Sequence, residues 1–139
     1  MIKPKVLFLC SENSCRTQMA EAFLRDMAGE RFTVISAGAT ATTLDPEAVT
    51  AMHEVGLDIS GQTPKTVDPF LRERVTFLIT LCDREVEKSC PIFPGAIWRL
   101  KWPIKSPAAA RNKEERRALT RRVWDEIREH VAQFVQKHA

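Results

Sequence analysis

The sequence predicts an α/β fold in which short buried strands alternate with amphipathic helices, and three observations carry that prediction. The run from Lys5 to Leu9 is apolar without alternation, the pattern of a central parallel strand buried on both faces. Apolar residues then recur at helical spacing, first as Met19, Phe23 and Met27 with Ala20 and Leu24 beside them. Finally, Cys10 and Cys82 each follow directly on an apolar run, at the carboxyl ends of strands where open α/β sheets bind their ligands.

Taken in order, the strand at Lys5 to Leu9 leads into a polar loop and then a helix that ends near Gly29. Phe32 to Ser36 reads as a second short strand, with Gly38 opening a loop. Asp45-Pro46 is an N-cap followed by proline at the first helical position, and Ala48, Val49, Met52 and Val55 continue that helix until Gly56 stops it. Gly61 to Lys65 is loop-like, and Asp68-Pro69 opens a short helix through Phe70 and Leu71. Val75 to Leu81 is the next apolar strand. The charged stretch Asp83 to Ser89 is expected at the surface, and Cys90-Pro91 enters a Pro/Gly-rich connection to a fourth strand at Ala96 to Leu100. After a loop from Trp102 to Pro107, the four-residue spacing of Leu119, Val123, Ile127, Val131 and Val135 predicts a long helix with one apolar stripe toward the sheet.

With 139 residues, one domain over 1–139 is expected, large enough to fold without metal or disulfide staples. Hydrophobic content of 44% with 28% charged residues is that of an ordinary globular protein. No stretch is long enough to span a membrane, and the apolar run after Lys5 is too short for a signal-peptide core, so a cytoplasmic location is expected. The net charge of +3 is confined to the last segment, because basic and acidic residues number 13 each over residues 1–110. There, Arg111, Lys113, Arg116, Arg117, Arg121 and Arg122 are interleaved with Glu114, Glu115, Asp125 and Glu126 and lack an aromatic platform. A solvated helix face, not a nucleic-acid surface, is the reading.

The chemistry concentrates between Cys10 and Arg16. Five residues separate them, Ser11, Glu12, Asn13, Ser14 and Cys15, about the length needed to wrap backbone N–H groups around a tetrahedral oxyanion while the guanidinium closes the ring. The helix that follows adds the positive end of its dipole. In such a cradle the Cys10 thiolate is favoured. Asn13 is suited to a left-handed bend, and Ser14 and Thr17 are candidate hydroxyl donors to the Cys10 sulfur; Ser14 reads equally well as a small turn residue. Cys15, at the helix start, is expected to pack inward. A zinc site is not indicated, because the spacings of Cys10, Cys15, Cys82 and Cys90 miss the tight knuckles of closed sites and the three histidines are scattered. Buried packing and redox catalysis both remain open for the cysteines.

The stretch Leu9-Cys10-Ser11-Glu12-Asn13-Ser14-Cys15-Arg16-Thr17-Gln18-Met19-Ala20-Glu21 resembles the signature loop of the low-molecular-weight tyrosine phosphatase fold, in the variant used by thioredoxin-coupled arsenate reductases. Ser36-Ala37-Gly38, Pro46-Glu47-Ala48, Val55-Gly56-Leu57-Asp58-Ile59-Ser60, Thr80-Leu81-Cys82, Cys90-Pro91 and Val123-Trp124-Asp125-Glu126-Ile127 resemble further family blocks in the same order. The resemblance covers nearly the whole chain and implies a four-stranded parallel sheet flanked by helices. It also implies arsenate as substrate, held by residues 11–17 and Arg16, with Cys10 as nucleophile and disulfides passing from Cys10–Cys82 to Cys82–Cys90. Thioredoxin, kept reduced by thioredoxin reductase, is then the external reductant, with no bound cofactor or metal, and a monomer is expected.

Three positions depart from the pattern that the resemblance implies. Ser106 stands before Pro107-Ala108 where the family's phosphatases, and most of these reductases, carry an aspartate, and a hydroxyl cannot serve as a carboxylic general acid, so phosphatase activity is expected to be weak. Seven residues separate Cys82 from Cys90, one more than the family pattern. Lys65 stands where some relatives contribute an aspartate to a potassium site near Asn13, Glu21 and Ser36; its ammonium either replaces the ion by pairing with Glu21 or is an exposed loop lysine.

Overall fold

The computed structural model describes residues 3–82 and 93–138. Strand β1 (Lys5–Cys10) is followed by helix α1 (Arg16–Ala28), strand β2 (Thr33–Gly38), helix α2 (Pro46–Glu54), strands β3 (Val75–Thr80) and β4 (Ala96–Lys101), and helix α3 (Lys113–His138). Short 3-10 turns lie at Asp68–Phe70 and Pro107–Ala109. The described strands form one four-stranded sheet in the order β2-β1-β3-β4, and every pairing is parallel. The expected four-stranded α/β architecture is therefore the observed one.

The sequence of β1 explains its central place. Val6 and Phe8 enter one hydrophobic cluster while Leu7 and Leu9 enter another, so both faces of the strand are covered. The first cluster gathers Met19, Phe23 and Leu24 of α1, Ala48 and Met52 of α2, and Val123, Ile127, Val131 and Phe134 of α3. The second is closed by Val67, Phe70, Val75 and Phe93. Because the chain goes from β1 to β2 on one side and later to β3 on the other, a crevice opens beyond the carboxyl ends of β1 and β3. Cys10 ends β1, and Cys82 lies two residues past β3.

Local signals account for the helix boundaries. Asp45 caps α2, its side chain accepting the Glu47 N–H at 3.0 Å, and Pro46 occupies the first helical position. At the other end Gly56 takes φ 82°, and the Gly56 and Leu57 N–H groups donate to His53 O and Met52 O, the paired bonds of a left-handed C-terminal cap. Three expectations shift. Phe32 is not a strand residue: its N–H still donates to Ala28 O, and its ring packs with Phe77 and Phe134. Gly38 does not open a loop but ends β2, paired with Cys10. In α3 the buried stripe is Thr120, Val123, Ile127, Val131 and Phe134, because a strict four-residue spacing drifts off a helix of 3.6 residues per turn and leaves Leu119 and Val135 half-buried.

Candidate active site: a thiol in an amide-lined loop

Residues 11–15 join β1 to α1 and fold back over the Cys10 side chain. Asn13 takes φ 55°, the left-handed bend expected of it, and its backbone N–H points to Cys10 Sγ at 3.2 Å. Thr17 Oγ1 also lies 3.2 Å from Cys10 Sγ. That hydroxyl accepts from Asn13 Nδ2 at 2.8 Å, which leaves its own proton for the sulfur. Of the two candidate hydroxyls, Thr17 is thus the one in contact among the described residues, because one helical turn brings position 17 back under the loop. Ser14 instead contributes its carbonyl, which accepts the Asp45 N–H at 3.0 Å.

An outer ring of donors sets the direction of the loop peptides. Ala39 N–H binds Cys10 O, Thr40 N–H binds Ser11 O, Gln18 Nε2 binds Asn13 O and Asp45 N–H binds Ser14 O, at 3.0 to 3.2 Å. All described peptides are trans, and a trans peptide sends its C=O and the following N–H in opposite directions. The N–H groups of Ser11, Glu12, Ser14 and Cys15 are therefore turned away from that ring. Together with the N-terminus of α1 they make a concentration of positive backbone dipole suited to an anion.

Arg16, the first residue of α1, is buried, and its Nη1 donates to Leu81 O at 3.2 Å and Ile104 O at 2.9 Å. These two carbonyls, one residue past β3 and three residues past β4, fix the guanidinium beside the crevice. Gly38 permits the close approach of β2, since a Cβ there would sit 2.8 Å from Asn13 N and 2.9 Å from both Glu12 C and Thr40 O. All three are backbone atoms, which cannot swing aside.

Cys15 is buried in the first cluster, as expected. Burial, reinforced by the Asp45 carboxylate and opposed by Arg16, pushes its thiol up to about 12. Asp45 is itself held by Arg116 of α3 at 2.7 Å. The basic segment is the solvated face expected of it, with Arg111, Lys113, Arg117, Arg121 and Arg122 exposed, and it adds ion pairs from Arg116, Arg117 and Arg121 to Asp45, Glu47 and Glu54, because α3 runs beside α2 and its cap.

Cys82 is buried, and its sulfur lies 3.9 Å from Ser11 Oγ, next in sequence to Cys10. Cys10 and Cys15 are free thiols, whereas Cys82 is disulfide-bonded. Cys90 and the charged stretch Asp83 to Ser89 lie outside the described residues. Glu12 is exposed on the loop. Lys65 Nζ is 3.8 Å from Glu21 Oε1, which also accepts from Ser36 Oγ at 2.5 Å, so the lysine is within ion-pair reach of the group with which a substituting ammonium has to pair. Among the described residues no group of three His, Cys, Asp or Glu side chains is arranged to hold a metal ion, and no helix is long and apolar enough to cross a membrane.

Sequence reasoning passed over Gln18, Gln62, Arg116 and the structural need for Gly38. A glutamine in the first turn of α1, on the side that carries Met19 and Ala22 inward, was the available signal for Gln18. The others act through partners distant in sequence and leave no local signal.

Fold and loop together define a small α/β protein with a free cysteine at the floor of a loop whose backbone dipoles suit an anion. Residues 5–138 match the low molecular weight phosphotyrosine protein phosphatase family, and the chain belongs to it. It is 42% identical over 137 residues to an arsenate reductase of Bacillus licheniformis, covering 98% of both chains. Among solved structures, an arsenate reductase in the phosphate binding state superposes with TM-score 0.81 at 31% identity over 98% of this chain and 99% of that one. A thioredoxin-dependent arsenate reductase of Corynebacterium glutamicum gives TM-score 0.73 at 28% identity, over 97% of this chain and 61% of that one.

Proposed function

We propose that this protein reduces arsenate to arsenite in the cytoplasm, through three cysteines regenerated by thioredoxin, as a step in arsenic detoxification. Arsenate is a tetrahedral oxyanion. It sits on the N–H groups of residues 11–17 with Arg16 against its oxygens, while the Cys10 thiolate attacks arsenic and water leaves. Cys82 then attacks the Cys10 sulfur; the S–As electron pair passes to arsenic, which departs as arsenite, and a Cys10–Cys82 disulfide remains. Cys90 attacks Cys82, freeing Cys10, and thioredoxin supplies the two electrons that reduce the Cys82–Cys90 bond.

The observation that carries this reading is the placement of Cys82, whose sulfur is 3.9 Å from the hydroxyl of the residue following the nucleophile. A second cysteine at the rim of an oxyanion loop has no task in ester hydrolysis. The full-length similarity to arsenate reductases supports the same substrate. Against a phosphatase stands Ser106, whose hydroxyl accepts the Ala108 N–H at 3.2 Å and supplies no carboxylic acid to the leaving group.

The test is arsenate-dependent NADPH consumption with thioredoxin and thioredoxin reductase. Turnover is expected for the native chain and none for Cys10→Ser, Cys82→Ser or Cys90→Ser. Sustained turnover by Cys82→Ser would overturn the relay.

A further inference from the structure

Asn13 is the residue on which the loop turns, and what holds it comes from a different part of the chain. Its carbonyl and its Oδ1 both accept from Gln18 Nε2, each at 3.0 Å. Its Oδ1 also accepts the Lys65 N–H at 2.7 Å. Both amide protons of Gln18 are thereby committed to Asn13, provided that the Gln18 amide keeps this orientation. Gln62, in the loop after α2, reinforces the orientation that the two Asn13 oxygens require: its Nε2 donates to Gln18 Oε1 at 2.7 Å and to Gln18 O at 3.1 Å. With donors on that side, the Gln18 oxygen faces Gln62 and the Gln18 nitrogen faces Asn13.

We propose that Gln18 and Gln62 are positioning residues for the oxyanion loop, with Gln62 acting through the Gln18 amide to keep Asn13 in its left-handed conformation and its N–H on the Cys10 sulfur. The loop at 61–65 then tunes anion affinity without touching the anion. Neither glutamine is accounted for by burial alone. Gln18 is fully buried and spends both of its amide protons on Asn13, while Gln62 is half-buried and spends both of its own on Gln18.

The inference deepens the proposed activity at the same loop, and it makes a claim about hydrogen-bond polarity that simple packing does not. Gln62→Glu preserves shape but replaces the donor with an acceptor, so the Gln18 amide is drawn to rotate and presents its oxygen to the two Asn13 oxygens. Gln62→Lys changes shape but keeps a donor toward Gln18. The readout is peptide-mapped alkylation of Cys10 by iodoacetate relative to iodoacetamide, which reports capture of a carboxylate anion by the loop and needs no reductase activity. The iodoacetate preference is expected to fall about tenfold in Gln62→Glu, near the effect of one lost charge-assisted hydrogen bond, and to return to within about twofold of the native protein in Gln62→Lys. In steady-state arsenate reduction, KM rises in Gln62→Glu by a similar factor and is restored in Gln62→Lys. An unchanged preference in Gln62→Glu, or equal loss in both variants, would overturn the proposal. A native chain that shows the iodoacetate preference but no arsenate turnover would instead count against the reductase reading and leave the positioning claim standing.

Discussion

Replacing Arg16 with lysine keeps the charge and removes the geometry, and the consequence follows from the contacts of one nitrogen. Arg16 Nη1 serves two carbonyls, Leu81 O at 3.2 Å and Ile104 O at 2.9 Å, and the planar fork holds the guanidinium in one fixed orientation beside the crevice. A lysine has a single nitrogen. Turned to the carbonyls, it abandons the anion; turned to the anion, it leaves Ile104 O without this donor, whereas Leu81 O still accepts the Ile104 N–H. Loss of a charge-assisted contact to the substrate is worth about 1.5–3 kcal/mol, and an unsatisfied buried acceptor costs about 1–3 kcal/mol more. Part of the second amount appears as lost fold stability. Arg16→Lys is therefore expected to lower kcat/KM for arsenate by about two to three orders of magnitude, in line with removal of an oxyanion donor. Coupled thioredoxin turnover, read beside urea denaturation, separates the two contributions. A kcat/KM within fivefold of the native enzyme, with unchanged stability, would refute the idea that the anchored fork does the binding.

Further outcomes follow from the same geometry. Gly38→Ala brings a Cβ within 2.8–2.9 Å of three backbone atoms, so a loss of about 1–3 kcal/mol in urea denaturation and a fall in turnover are expected; full stability would show that the loop and β2 can separate freely. The Cys15 thiol, pushed from 9.0 up to about 12, holds its proton more tightly folded than unfolded, so its contribution to stability is complete below pH 9 and is lost as pH rises toward 12. Stability of the native chain should fall faster than that of Cys15→Ala over this window, with a difference in slope approaching about 1.4 kcal/mol per pH unit; parallel curves from pH 8 to 11 would contradict it. Hydrolysis of p-nitrophenyl phosphate is expected to be negligible in the native chain and to rise about a hundredfold in Ser106→Asp, what a positioned general acid contributes at the low end. A robust native rate would show that no carboxylic acid is needed at that place.

The elements of this fold were legible because each obeys a local rule. An unbroken apolar run marks β1 as central, and Asp45-Pro46 with Gly56 brackets α2. The placement of Cys10, Arg16 and the bend at Asn13 was legible for the same reason, since they occupy one contiguous loop. What local reading missed is what holds that loop from outside. Gln62 meets Gln18 across 44 positions and Arg116 meets Asp45 across 71, and chain periodicity carries no information about such pairs. Gly38 illustrates the same limit, since nothing beside it in sequence announces that the Glu12-Asn13 backbone will pass within a methyl's width. The choice between Ser14 and Thr17 depended on helix geometry, which returns position 17, not 14, beneath the sulfur.

The central claim is that a bond forms between Cys10 and Cys82 while arsenic is reduced. The most direct measurement is mass spectrometry of non-reduced peptides from Cys90→Ser protein, prereduced, freed of reductant and given one equivalent of arsenate. The account predicts a Cys10–Cys82 linked peptide together with an equivalent of arsenite, and neither product when Cys10 is also changed to serine. Arsenite released with Cys10 and Cys82 unlinked, or no arsenite from protein whose Cys10 is intact and alkylatable, would contradict it.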